Sequence, residues 1–211
     1  MSNLKDLMHA PGAGFEADGD FDKVNALCME KGWGDGLPVV PPTAERVAAM
    51  LRGTSRRADE VIVRIAPGFG AATVERIAVN AVMAGCEPAH MPVLIAATAA
   101  VCERPFNLQG VQTTTDPVAV WLIVNGPVAQ RIGMNSGINA LGQGNRANST
   151  ICRALNLIVR NVGGGRPGGV DRATLGNPGK YTFCFAEDEA GSPWEPLAVE
   201  RGIPAGSDAV T

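Results

Sequence analysis

Asn135, Ser136, Asn139, Gly142, Gly144, Asn145, Arg146 and Asn148 crowd a loop at 133–145 (GMNSGINALGQGN) and the start of the amphipathic stretch that follows it. A helix start exposes unpaired backbone N–H groups and carries a partial positive charge. Glycines ahead of it let an anion approach the backbone, and an arginine adds a bidentate fork. The chemistry this suggests is capture of the carboxylate or phosphate of a small substrate, with the amides of 145–148 as oxyanion donors. The loop lacks the GK[ST] of a Walker A motif, and Ala147 replaces the last glycine of a GxGxxG fingerprint. The plain alternative is a glycine-rich loop in which Asn145 caps a helix.

A second grouping is YTFCFAEDE at 181–189. A strand at 181–186 would deliver Glu187, Asp188 and Glu189 to a sheet edge, where Glu187 or Glu189 can move protons. Strand alternation sends Cys184 to the face opposite Phe183 and Phe185. With a lowered pKa it would be a nucleophile; otherwise it is a small buried hydrophobe. The acidic triplet also reads as a solvated turn. The third grouping, Cys86 and His90, has the spacing of a thiolate–imidazole pair or of a core cysteine beside a loop histidine. The other histidine is His9, so the chain has no His-rich metal site, and no motif names a cofactor. No G-x-S-x-G elbow is present.

These groups need elements to hold them. Asp20 or Asp22 caps a helix ended by Gly32, and Thr43 caps one at 44–52 ended by Gly53. Residues 60–65 (EVIVRI) alternate like a strand. Thr73 caps a helix closed by Gly85, and Pro92 opens a second, nearly all-apolar helix at 93–103, with 86–90 as the elbow between them. Residues 106–112 and 118–124 (VAVWLIV) read as strands, the second central and covered on both faces. A helix at 146–162 carries Ile151, Leu155, Ile158 and Val159 inward, Arg153 and Arg160 outward, and stops at 163–165. Alternating strands and helices predict an α/β or α+β fold: a single domain at 21–211 with a mixed sheet flanked by helices, after a flexible leader at 1–20. The polar loops 34–38 and 113–117 are of the kind that gather at a ligand cleft.

The chain has 211 residues, 45% of them hydrophobic and 18% charged, which excludes disorder as its main state. Gly (26) and Pro (15) make up close to a fifth of the residues, against about 12% in an average protein, so turns shape much of the chain. A net charge of −3 excludes a nucleic-acid-binding face. Five cysteines without CxxC spacing point to reduced thiols and a cytoplasmic protein. The start has no apolar signal-peptide core, and the apolar run at 93–101 is far shorter than the roughly 20 residues that span a bilayer, so no membrane is expected.

Several stretches, GWGDGLPVVPPT (32–43), ATVERIAVNAVMAGCEPAHMPVLIAA (72–97), NLQGVQTTTDPVA (107–119), LIVNGP (122–127), the run 135–164 and GNPGKYTFCFAEDEAGSPWEPLAVERG (176–202), resemble the UGSC family of bacterial (seleno)proteins and their companions. The resemblance spans about residues 25–205. It implies thiol or selenol chemistry, such as lytic or reductive cleavage of a carbon–heteroatom bond. This chain lacks the U/C-G-S-C segment and stops at Thr211 where longer relatives continue, which implies a second polypeptide subunit. The resulting expectation is one subunit of a hetero-oligomeric bacterial enzyme. Its substrate-binding residues would be Asn135, Ser136, Gly142, Gly144, Asn145, Arg146 and Asn148, and its catalytic residues Cys184, Glu187 and Glu189. The alternatives are a metal- or thiol-assisted hydrolase or hydratase subunit, and a non-catalytic scaffold that positions a partner.

Overall fold

Short polar side chains start the helices where the sequence placed them. Asp20 accepts from Asp22 N to open α1 (Phe21–Glu30), and Thr43 accepts from Arg46 N to open α2 (Ala44–Leu51). The computed structural model describes residues 20–211, so the leader expected at 1–20 lies, apart from Asp20, outside the described residues. An antiparallel hairpin follows, β1 (Val61–Ile65) with β2 (Gly70–Thr73). The second of these strands has too little alternation to be seen in sequence.

Thr73 then caps α3 (Val74–Ala84), accepting from Arg76 N at 3.2 Å, and Gly85 ends it at φ +90 in the left-handed region. A 3-10 turn at Pro88–His90 forms the elbow before α4 (Met91–Ala100). The strand expected at 106–112 is instead a 3-10 turn at Arg104–Phe106 followed by α5 (Leu108–Thr113). Asn107 decides this: it tolerates φ +55, and its side chain accepts from Gly110 N, which caps a helix and stops a strand.

The expected strand at 118–124 pairs only over β3 (Leu122–Asn125). Pro127 is the first residue of α6 (Pro127–Arg131), where its missing N–H costs nothing. After the Gly/Asn loop comes α7 (Arg146–Asn161), the longest helix among the described residues, then β4 (Cys184–Ala186), α8 (Leu197–Glu200) and β5 (Ala209–Val210). The strand order is β4-β3-β5, with β4 parallel and β5 antiparallel to β3. The architecture is a single α/β domain, its mixed sheet flanked by helices.

The core sits between α3, α4 and α7. Ile77, Ala81, Leu94, Ile151, Leu155 and Ile158 are fully buried there. Each large aliphatic among them contributes about 1.5–3 kcal/mol by leaving water. The sheet adds Leu122, Val124, Cys184 and Ala186 from its inner face. Its outer face is aromatic and not fully covered: Trp121 is 47% exposed and stacks on Phe183 at 5.3 Å. On that face of β3 Ile123 is half-buried and Asn125 is buried, so the strand is covered less completely there than on its inner face. No helix among the described residues is long and apolar enough to cross a membrane.

Candidate functional site

The Gly/Asn loop spends its polar groups on itself. Asn148, buried in the first turn of α7, accepts from Asn135 N and donates to Asn135 O and Ala140 O, each at 2.9 Å. Asn135 binds Gly137 N and Ile138 O, and Asn139 donates to Gln143 O. Asn145 stands at the N-cap without a side-chain cap hydrogen bond, and half-buried Ser136 makes no hydrogen bond among the described residues. Gly144 takes φ +111 over open space and brings no backbone against a neighbour.

Arg146 is engaged within the chain. Its Nε donates to Gly85 O at 2.9 Å and its Nη1 pairs with Glu87 Oε1 at 2.6 Å, tying α7 to the elbow. Gly142 and Asn148 do meet Cys184, Ser149 and Thr182 around one hollow, but its volume is about 20 Å³. That holds about one water molecule, not an organic anion.

The candidate catalytic residues are similarly engaged. Cys184 is 3% exposed, and burial, then the neighbouring Cys152 and Cys86 thiols, hold its pKa well above the ordinary thiol range. Burial raises Cys152 to about 11 and Cys86 to about 12, and pushes Cys28 and Cys102 up as well. A thiolate nucleophile at neutral pH requires the opposite shift, which the packing around Cys184 does not supply. The Cys86–His90 pair does not form either: Cys86 Sγ donates to Thr150 O at 3.3 Å, while His90 Nδ1 accepts from Glu87 N. Glu187 Oε2 accepts from Asn125 Nδ2 and Leu197 N, and Glu189 Oε1 from Asn125 Nδ2 and Gly126 N. These carboxylates clamp the end of β3 to the tail. Among the described residues no cluster of three metal-ligating side chains occurs.

A cavity of about 630 Å³ opens on another side of α7, within the roughly 300–1,000 Å³ of small-molecule pockets. Its walls come from Asn156, Leu157, Val159 and Arg160 of α7, Gln112 of α5, residues 118–120 and the 165–181 loop. The two polar loops at 34–38 and 113–117 border it, the first through Asp35 and the second through its flanks, Gln112 and Val118.

Its charges are unequal. Lys180 is paired with Asp171 at 2.9 Å, and Asp35 with Arg153 at 2.8 Å. Burial alone would raise the Asp35 pKa, but the hydrogen bonds and charge of Arg153 outweigh it and hold the carboxyl below its usual range. Arg160 spends Nε on Gly32 O at 3.1 Å and has no ion-pair partner among the described residues. Burial and the nearby Arg166 lower its pKa, with Asp35 opposing. Arg166 also makes no ion pair among the described residues. A half-buried guanidinium beside a second one is short of an anion.

Arg153 and Arg160 were expected to face outward. Instead they hold the 32–38 strap: Arg153 donates to Ala84 O, Leu37 O and Pro38 O as well as to Asp35, and Asn161 donates to Trp33 O. The signal was present in the recurrence of arginine at 146, 153 and 160, a single stripe at seven-residue spacing. Nothing in the sequence marked Gln112.

Comparison with protein-family models, with curated proteins and with solved structures finds no match.

Proposed function

We propose that the chain binds a small anionic organic molecule in the 630 Å³ cavity, with Arg160 as the anchor for its acidic group. The observation that carries this reading is the half-buried Arg160 guanidinium, which lines the cavity without a counter-ion among the described residues. An arriving anion would gain a charged hydrogen bond and relieve the repulsion between Arg160 and Arg166. The ligand class is the one expected from the sequence, at a different address.

The resemblance of the 135–164 and 176–202 stretches to the UGSC family supports reading the chain as a bacterial enzyme subunit. In that reading the reacting groups come from a second polypeptide, since burial works against a thiolate on this chain. The test is thermal shift against inorganic phosphate and a panel of small carboxylates. A ligand should raise the Tm of the wild type, and Arg160→Gln should weaken it by about 10- to 150-fold, the worth of one charged hydrogen bond. A panel with no binder, or binding indifferent to that substitution, removes the proposal.

A further inference from the structure

The same cavity is lined by a second unanswered group. Gln112, half-buried on α5, lines the cavity, and its amide makes no hydrogen bond among the described residues. A primary amide offers two donors and an acceptor, and leaving them unmet in a partly dry site is unfavourable. The amide lies against the backbone at the end of α7. Its Oε1 sits against Gly165 so closely that a Cβ there would come within 2.7 Å of it and within 3.3 Å of Val159 Cγ1. Gly165 has no left-handed φ, so a methyl there would meet the Gln112 amide rather than meet backbone strain. Gly165 N donates to Val159 O, which sets Gln112 beside the last turns of α7, where Arg160 projects. The lining is mixed: buried Val120, Leu157 and Val159 and the exposed Leu175 give it an apolar share beside Asp35, Asn156 and Asp171.

We infer that the ligand is a carboxylic acid carrying a neutral hydrogen-bonding group of the amide type on an apolar body, its carboxylate on Arg160 and its neutral group on Gln112. This rests on the anion-binding reading above. A polyphosphate fits less well, because Lys180 is already engaged by Asp171 and leaves Arg160 and Arg166 as the unpaired cations nearby.

Three probes separate the parts by calorimetry: octanoate has the acid alone, hexanamide the amide alone, and N-hexanoylglycine both. N-hexanoylglycine should bind the wild-type chain about fivefold tighter than octanoate, the worth of one neutral hydrogen bond. Gln112→Leu should bring the ratio of the two affinities close to one. Gly165→Ala, whose methyl displaces the amide without touching residue 112, should do the same and serves if the first variant does not fold. Arg160→Gln should weaken both acids alike and leave hexanamide unchanged. Equal binding of the two acids to the wild type, or a preference that survives both Gln112→Leu and Gly165→Ala, overturns the amide recognition while the Arg160 effect stands. Failure of both acids to bind, or binding insensitive to Arg160→Gln, overturns the anion reading as well.

Discussion

Arg153 and Asp35, 118 residues apart, form a two-pronged ion pair, Nε to Oδ2 at 2.8 Å and Nη2 to Oδ1 at 3.0 Å. Both side chains are about 85% buried, being 14% and 15% exposed. Arg153 is also the hub of the 32–38 strap through Leu37 O and Pro38 O. Removing one partner leaves the other charge largely buried and unpaired. Arg153→Ala should therefore cost about 3–5 kcal/mol in urea unfolding, and amides of the strap should lose hydrogen-exchange protection before those of α7 do.

The same pair sets an acid limit. The folded pKa of Asp35 is depressed, so its contribution is complete above the unfolded carboxylate pKa and drains away as pH falls through the lower folded value, below about 4. His90 adds an earlier loss. It is 1% exposed, and burial, outweighing the attraction of Glu87, holds its pKa below 6.5. Once pH drops below that value the unfolded chain takes up a proton that the folded chain refuses, and stability declines until the folded pKa is reached. Unfolding midpoints measured from pH 8 to 3 should show both steps. His90→Asn, which keeps an acceptor for Glu87 N, should remove the first.

Arg146 offers the sharpest contrast between expectation and structure. Its pair with Glu87 is exposed, so Arg146→Ala should cost no more than about 1 kcal/mol. Affinity for whatever ligand the cavity takes should not change. A ligand lost on this substitution would return the site to the Gly/Asn loop.

The thiols should be slow. With Cys28, Cys86, Cys152 and Cys184 buried and every described cysteine raised in pKa, none should react with iodoacetamide at pH 7 faster than free cysteine does. Mass spectrometry over a time course would reveal an exception, and a rapidly alkylated Cys184 would restore the thiol mechanism to this chain.

Glu189 separates a structural carboxylate from a proton carrier. Glu189→Gln keeps an oxygen for Asn125 Nδ2 and Gly126 N and should be nearly neutral in stability. Glu189→Ala strips a partner from an Asn125 whose Oδ1 is already unbonded, and should cost about 1–3 kcal/mol. If Glu189→Gln instead abolished an activity of the assembled enzyme at unchanged stability, a proton-transfer role would follow.

Much of the framework was readable because its causes are local. Thr43 and Thr73 bond to backbone three residues on, Gly85 supplies the turn that ends α3, and the apolar period of α7 names Ile151, Leu155 and Ile158 as core. Local signals failed at the short strands. β2 and β5 are held by their partners rather than by their own alternation, and Asn107 turned an apparent strand into a helix.

By itself the sequence determined the α/β class, the capped starts of α1, α2 and α3, and the apolar face of α7. Tertiary structure decided which arginine remained unpaired. Glu87 took Arg146, Asp35 took Arg153, and Arg160 found only the carbonyl of Gly32, 128 positions away. Counter-ions are assigned by which surfaces fold against one another, over distances that no spacing rule along the chain encodes. Burial, likewise a property of the packed whole, raises the pKa of Cys86, Cys152 and Cys184.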